Sequence, residues 1–212
     1  MTITVAIIFL TCILSFTAFS NEKLMDELIF YPPAITNRHQ WYRFITCGFI
    51  HADFAHLGFN MYSFYMFGDA IEDFFTRIYG DAGKAVFLVL YFTSLVVCLL
   101  PTYFQNKENY YYRSLGASGA VSAIVFAFIF LAPTTPLGLI FIPGLRAPAF
   151  IFGIIYLAVS AYFARKGTSH INHSAHFWGA IYGIVFLIVS SHFLSGFDAW
   201  SNFVEQIQGY FR

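Results

Sequence analysis

The chain has 212 residues, no net formal charge, and 58% hydrophobic against 10% charged side chains. A soluble domain carries about 25% charged residues, so this composition excludes an ordinary soluble globule and reads as an integral membrane protein with the lipid bilayer as its partner. No basic run favours nucleic acid, and Cys12, Cys47 and Cys98, all within or at the edge of apolar segments, read as packing residues rather than metal ligands or disulfide partners.

In chain order, Ile3 to Phe19 is apolar and just long enough for a span. No positively charged region precedes it, which favours a retained helix over a signal peptide, although Ala18-Phe19-Ser20 has the small-residue look of a cleavage site. Residues 20–50 form a long loop in which Tyr31-Pro32-Pro33 is expected to break any helix. Trp41-Tyr42-Arg43 leads into an apolar stretch and suits the bilayer interface, where Trp41 and Arg43 read at their plainest as anchors. A second span runs from about Phe54 to Ile71. His56 and Asn60 are four apart near its start and so share a face, pointing into the bundle or a wet cavity. Gly68, Glu72 and Asp73 are expected to end it, with a polar connector from Asp73 to Lys84.

Ala85 to Tyr103 is a third span, almost free of polar groups, and Gln105 to Arg113 a polar loop. The fourth span begins at Gly116-Ala117-Ser118-Gly119 and runs from Ser118 to about Leu131, stopped by Pro133 and Pro136. A serine between glycines at a helix start sits beside unpaired backbone N–H groups at the positive end of the helix dipole, which suits both a nucleophile and an oxyanion. Small residues there also suit helix packing without chemistry. Leu137 to Leu145, too short to span, is expected to dip into the interface. The fifth span runs from Ala149 to Ala164, and the sixth from about Ser174 to Phe193. The sixth carries Ala175, Gly179 and Gly183 at four-residue spacing, a stripe that permits close approach to the small face Gly119, Ala120, Ala123 and Ala127 of the fourth. In the tail from Ser195 to Arg212, Phe197, Trp200, Val204, Ile207 and Phe211 fall three or four apart. This is the pattern of an amphipathic helix lying on the membrane or against the protein's own loops.

The chemistry follows from alternation. Spans two, four and six run the same way, so His56 and Asn60, Ser118, and His176 lie on one side of the membrane. A serine, a histidine on another helix and two side-chain donors are the parts of acyl transfer. Ser118 would attack a carbonyl, and His176 would take its proton and return it to the leaving amine. The Ser118 backbone N–H, His56 and Asn60 would hold the oxyanion. Ser114 and Ser174 read as loop or cap residues, His173 as a cavity-lining neighbour, and His170 and His192 as interfacial. No histidine pair has the Cys or carboxylate partners of a metal site, so neither metal nor cofactor is expected.

With these motifs in order, Trp41-Tyr42-Arg43, His51-x4-His56-x3-Asn60, Gly116-Ala117-Ser118-Gly119 and Ala175-His176-x2-Gly179, the sequence resembles the rhomboid intramembrane serine proteases from the first span to about residue 193. The resemblance implies an all-α membrane protein: a bundle of six transmembrane helices over 1–194 with a partly embedded first loop, followed by the amphipathic tail over 195–212. It implies a Ser118–His176 dyad without a catalytic Asp, no cofactor, and supporting roles for Gly116, Gly119, Gly179, Trp41 and Arg43. Glu72 matches the family's acidic residue after the second helix. Substrates would be single-span membrane proteins, unwound locally at a small residue, with the fifth helix and the Leu137–Leu145 segment as gating elements. The resemblance further implies cytoplasmic termini and an outward-opening site in a bacterial inner membrane. The Lys/Arg count of the loops, richer on the side of Lys23, Arg38 and Arg43, argues the other way. Three departures stand out. Ser122 occupies the place where several relatives stack an aromatic ring on the histidine, Tyr42 interrupts Trp-Arg, and the Glu72–Gly80 connector is longer. A catalytically silent escort of membrane proteins and a polar-lined transporter are the rival readings.

Overall fold

The computed structural model describes residues 1–139, 142–167 and 171–212. The chain is predominantly helical. Helix α1 (Ile3–Phe19) is capped by Thr2, whose Oγ1 accepts from the Val5 N–H. Its buried stripe is Thr4, Ile7, Thr11, Ser15 and Ala18, while Phe9, Leu10, Ile13 and Phe16 face outward. Small and polar side chains inside with large apolar ones outside is the pattern of a helix whose solvent is lipid, because lipid tails supply no drive to bury leucine.

The first loop is not irregular. It folds into α2 (Glu22–Leu28), α3 (Pro32–Arg38) and α4 (Arg43–Thr46), followed by one tight turn at Cys47–Phe49. The expectation that Pro32-Pro33 breaks a helix is corrected: the two prolines start α3, in the first turn, where a missing N–H is harmless. Arg43 is buried and holds the loop together. Its guanidinium donates to the carbonyls of Asp26 (2.8 Å) and Ile29 (2.7 Å), and its Nε donates to Gln40 Oε1 (2.6 Å).

Helix α5 (Phe54–Tyr79) continues beyond Ile71, so the expected stop and polar connector are corrected. The residues read as a terminus have other work. Thr4 of α1 packs into Gly68, where a Cβ would lie 2.9 Å from the threonine methyl. Buried Glu72 caps α1, accepting from the N–H groups of Ile3 (2.9 Å) and Thr4 (3.0 Å) and from Thr4 Oγ1 (3.1 Å). Asp73 pairs with Arg77 one turn on, at 2.8 Å. Gly80, at φ 59°, ends the helix. The expected third span is divided into α6 (Gly83–Val97) and α7 (Leu100–Asn106), because Pro101 has no N–H to continue the ladder.

Helix α8 (Ser118–Leu131) is the central rod, with all residues but Ser118, Val125 and Phe128 buried. Fully buried Phe64, Ile71 and Phe75 of α5, Phe87, Leu90 and Tyr91 of α6, and Ile124 of α8 form the main core. The segment after α8 is a two-stranded antiparallel hairpin, β1 (Pro136–Leu139) and β2 (Ile142–Pro148), pairing Pro136 with Pro148 and Gly138 with Arg146. This corrects the all-helical expectation locally. Ile140 and Phe141 of the expected Leu137–Leu145 dip lie outside the described residues, as does His170. Helix α9 (Ala149–Lys166) buries only Ala149, Gly153 and Ser160. Helix α10 (His173–Ser195) lies along α8 at backbone contact. A Cβ on Gly179 would overlap the Gly119 carbonyl oxygen, and one on Gly183 the Ala123 carbonyl oxygen. Helix α11 (Ala199–Tyr210) docks on the end of α8. Phe203 stacks on Phe130 at 4.5 Å, and Asn202 and Gln206 donate to the Leu131 carbonyl at 3.3 and 2.8 Å.

Among the described residues, the stretches Phe54–Asn106, Ala149–Lys166 and His173–Ser195 contain helix long and apolar enough to cross a membrane. Helices α1 and α8 are apolar but shorter.

Candidate active site

The loop before α8 is fixed from three directions. Gly116, at φ 108°, donates its N–H to the Cys47 carbonyl at 2.9 Å, and a Cβ there would lie 2.7 Å from His56 Cε1. Only glycine suits both the left-handed backbone and that clearance. Buried His51 lies behind it. Ser15 Oγ of α1 donates to the Phe49 carbonyl (3.1 Å), so at its 3.0 Å contact with His51 Nδ1 the hydroxyl is the acceptor and the ring nitrogen the donor. That leaves His51 Nε2 as an acceptor, facing the Ala117 N–H at 3.5 Å. Burial, and next the neighbouring His56, push the His51 imidazole down to about 3, so it is neutral at physiological pH.

Ser118 is the first residue of α8, and the N-cap before it, Ala117, has no polar side chain to cap the helix. The Ser118 N–H is therefore among the orphan donors of a helix start. His176 lies in the first turn of α10, whose start is tied down by Asn172. Asn172 Oδ1 accepts from the Ala175 N–H (3.0 Å) and from Thr102 Oγ1 of α7 (3.2 Å). With α8 and α10 in backbone contact at Gly119 and Gly179, the two polar helix starts meet, and His176 Nε2 lies 2.6 Å from Ser118 Oγ.

Both line a cavity of about 270 Å³ together with His56, Phe59, Asn60, Ser63, Val121, Ser122, Val125, Tyr156 and Ile171. Asp53 caps α5, its Oδ1 accepting from the His56 N–H at 2.8 Å, and so fixes where His56 and Asn60 start. His56 Nδ1 accepts from the Ala52 N–H at 3.5 Å, which assigns the ring proton to Nε2, against Gly116. Asn60 Nδ2 donates to the His56 carbonyl at 3.0 Å and keeps a second N–H.

Thus Ser118, His176, His56 and Asn60 come together around one cavity. Gly116, Gly119 and Gly179 sit at the close approaches that bring them there. Trp41 and Arg43 do not line the cavity. Trp41 is half-exposed and packs on Phe44 and Tyr103, and Arg43 serves the fold of the first loop. His173 stacks on Phe163 and meets His176 edge-on, with ring centres 5.6 Å apart. Tyr156 of α9 was not foreseen. Its ring faces His176 at 6.2 Å and 25°, and its hydroxyl lies 2.5 Å from Ser122 Oγ. The available signal was Tyr156 and Phe163 seven apart, on one face of the fifth apolar stretch. Among the described residues no group of His, Cys, Asp and Glu could hold a metal ion.

The Rhomboid domain profile matches residues 38–193. The chain is 30% identical, over 81% of its length and 77% of the relative's, to YdcA of Bacillus subtilis (strain 168), which carries the name of a rhomboid protease. It is 33% identical over 64% of its length to RHOMBOID-like protein 12, mitochondrial, of Arabidopsis thaliana. It is 28% identical over 73% of its length to Rhomboid-like protein 11, chloroplastic, of the same plant. Those two proteins are longer: the matched regions span 42% and 54% of them.

Proposed function

The chain belongs to the rhomboid family, and from that premise we propose that it is an intramembrane serine endopeptidase that cleaves single-span membrane proteins. The observation that carries the proposal is the 2.6 Å contact between Ser118 Oγ and His176 Nε2 at the wall of the cavity that His56 and Asn60 also line.

The chemistry runs as acyl transfer in two halves. With its ring proton on Nδ1, His176 accepts the Ser118 hydroxyl proton at Nε2 as Oγ attacks the scissile carbonyl carbon. The negative charge that develops on the carbonyl oxygen is met by the Ser118 N–H, His56 Nε2–H and the second N–H of Asn60. One such donor is worth about 100- to 1000-fold in rate. The proton passes from His176 to the departing amine as the C–N bond breaks. Water then repeats the sequence on the acyl ester, giving the acid and restoring Ser118. No carboxylate takes part: among the described residues none bonds the His176 ring, which is held by packing, and Asp53 is occupied with the start of α5.

The membrane setting follows the same reading. Helices α1, α5, α6 with α7, α8, α9 and α10 make six crossings, with both termini cytoplasmic in a bacterial inner membrane and the cavity opening outward. The tail, docked on α8 with Trp200 and Phe211 exposed, lies at the bilayer surface. A substrate helix hides its carbonyls in i to i−4 bonds, so it must unwind to reach Ser118.

The test is covalent labelling of the purified protein by a serine-reactive fluorophosphonate. Labelling lost in Ser118→Ala and in His176→Ala supports the hydrolase. Labelling unchanged in Ser118→Ala removes it in favour of a silent membrane-protein escort. New termini mapped on candidate single-span substrates would then locate the cleavage site.

A further inference from the structure

We infer that Tyr156 is a positioning residue for His176, so that the catalytic pair is completed by α9 and not by α8 and α10 alone. The inference rests on the Ser118–His176 reading above. Proton accounting fixes the direction of its hydrogen bond. Ser122 Oγ lies 2.7 Å from the Ser118 carbonyl and donates its single proton there. At the 2.5 Å contact with Tyr156, the tyrosine O–H must therefore be the donor. Ser122 thus links the backbone of the nucleophile, on its own helix, to a ring borne by another helix.

That ring lies close to parallel with the His176 imidazole, at 25° and 6.2 Å between centres, while His173 abuts the imidazole edge-on at 75°. His173 is itself stacked on Phe163, at 25° and 5.1 Å. Tyr156 and Phe163 are two helical turns apart on α9. The same face of α9 therefore supports His176 directly, through Tyr156, and indirectly, through Phe163 and His173. Among the described residues no carboxylate bonds the His176 ring, so this packing is what selects its rotamer. Yet α9 buries only Ala149, Gly153 and Ser160, and it docks mainly through rings, Tyr156 on Phe126 of α8 and Phe150 on Tyr210 and Phe211. The pair has its geometry only while α9 is docked. Tyr156 also walls the cavity, so the group that orients the base is the group an incoming substrate meets.

The experiment measures fluorophosphonate labelling rate against pH, and kcat and KM on a peptide substrate, for the full chain in detergent. Tyr156→Phe keeps the ring and loses the bond to Ser122. It should slow labelling several-fold, and the effect should be non-additive with Ser122→Ala. Tyr156→Ala should slow labelling roughly 100-fold, the scale of a misplaced catalytic group. It should also lower kcat more than it raises KM and move the apparent pKa of the pH profile. Ser122→Tyr added to Tyr156→Ala should recover much of the rate, because a ring one turn after Ser118 reaches the space that Tyr156 vacates.

Ser118-dependent labelling that proceeds at the wild-type rate and pH profile in Tyr156→Ala overturns this inference alone. So does faster cleavage of membrane-embedded substrates with unchanged labelling, which would make Tyr156 a simple barrier. If Tyr156→Ala does not fold, additivity of Tyr156→Phe and Ser122→Ala overturns the inference in its place. Wild-type protein that shows no Ser118-dependent labelling overturns the hydrolase reading and this inference with it.

Discussion

Gly179→Ala adds one methyl group where α8 and α10 touch backbone to backbone. The new Cβ would lie 2.9 Å from the Gly119 carbonyl carbon and 3.3 Å from its Cα, and would overlap the carbonyl oxygen. Carbon atoms pack at about 3.5–4.0 Å, so the helices must part by roughly 1 Å. Neither side of the contact is a flexible side-chain tip that could swing away. The strain of such overpacking is about 1–3 kcal/mol, which appears as a lower Tm in detergent. The larger effect is on chemistry. Ser118 precedes Gly119, and His176 sits one turn before Gly179, so parting the helices there stretches the 2.6 Å Ser118–His176 contact directly. A gap of roughly 3.6 Å is past hydrogen-bond range, and a misplacement of that size costs about 100-fold in rate. The assay pairs fluorophosphonate labelling rate with Tm. Gly183→Ala, the same overlap against the Ala123 carbonyl one turn farther from the pair, should lower Tm comparably with a smaller loss of labelling. Wild-type Tm and labelling in Gly179→Ala would refute the argument from close approach. Equal labelling losses in the two variants would refute the argument that distance from Ser118 matters.

Glu72→Ala removes the acceptor for the first N–H groups of α1 and leaves them buried, so it should lower stability by about 2–4 kcal/mol, read as Tm, with Glu72→Gln milder. His51 is held neutral in the fold, near 3 against about 6.5 when unfolded, so the unfolded chain takes up the proton first. Its contribution is therefore whole above about pH 6.5 and is lost as pH falls toward 3, at about 1.4 kcal/mol per unit. Unfolding in detergent at pH 7 and pH 5 should show that loss, and His51→Gln should flatten it. Phe203→Ala removes the stack on Phe130 and should loosen α11, detected as faster proteolysis near residue 199 with labelling of Ser118 retained.

The lengths of the apolar runs were enough to find α1, α8, α9 and α10 nearly to their ends, because helices that face lipid or fill the centre of a bundle are apolar over their whole length. The small residues of α8 and α10 were enough to argue that the two helices touch. The motif starts at Ser118 and His176 fell on helix starts of the same direction, which follows from counting alone. Other features were out of reach of local pattern. Gly68, Glu72 and Asp73 have the composition of a helix end, and only α1 docking against them explains why α5 runs on to Tyr79. Pro32-Pro33 as a helix start and the pairing of Pro136–Leu139 with Ile142–Pro148 are local, but composition alone does not distinguish them from a helix breaker and an interfacial dip.

The order of residues determined what chemistry is available, since a hydroxyl, imidazoles and an amide stand at helix starts on one side of an apolar chain. Tertiary packing alone decided the distances among them and brought in Tyr156. A stacking contact between rings twenty residues apart leaves no period in the sequence, and it exists only once α9 and α10 lie together.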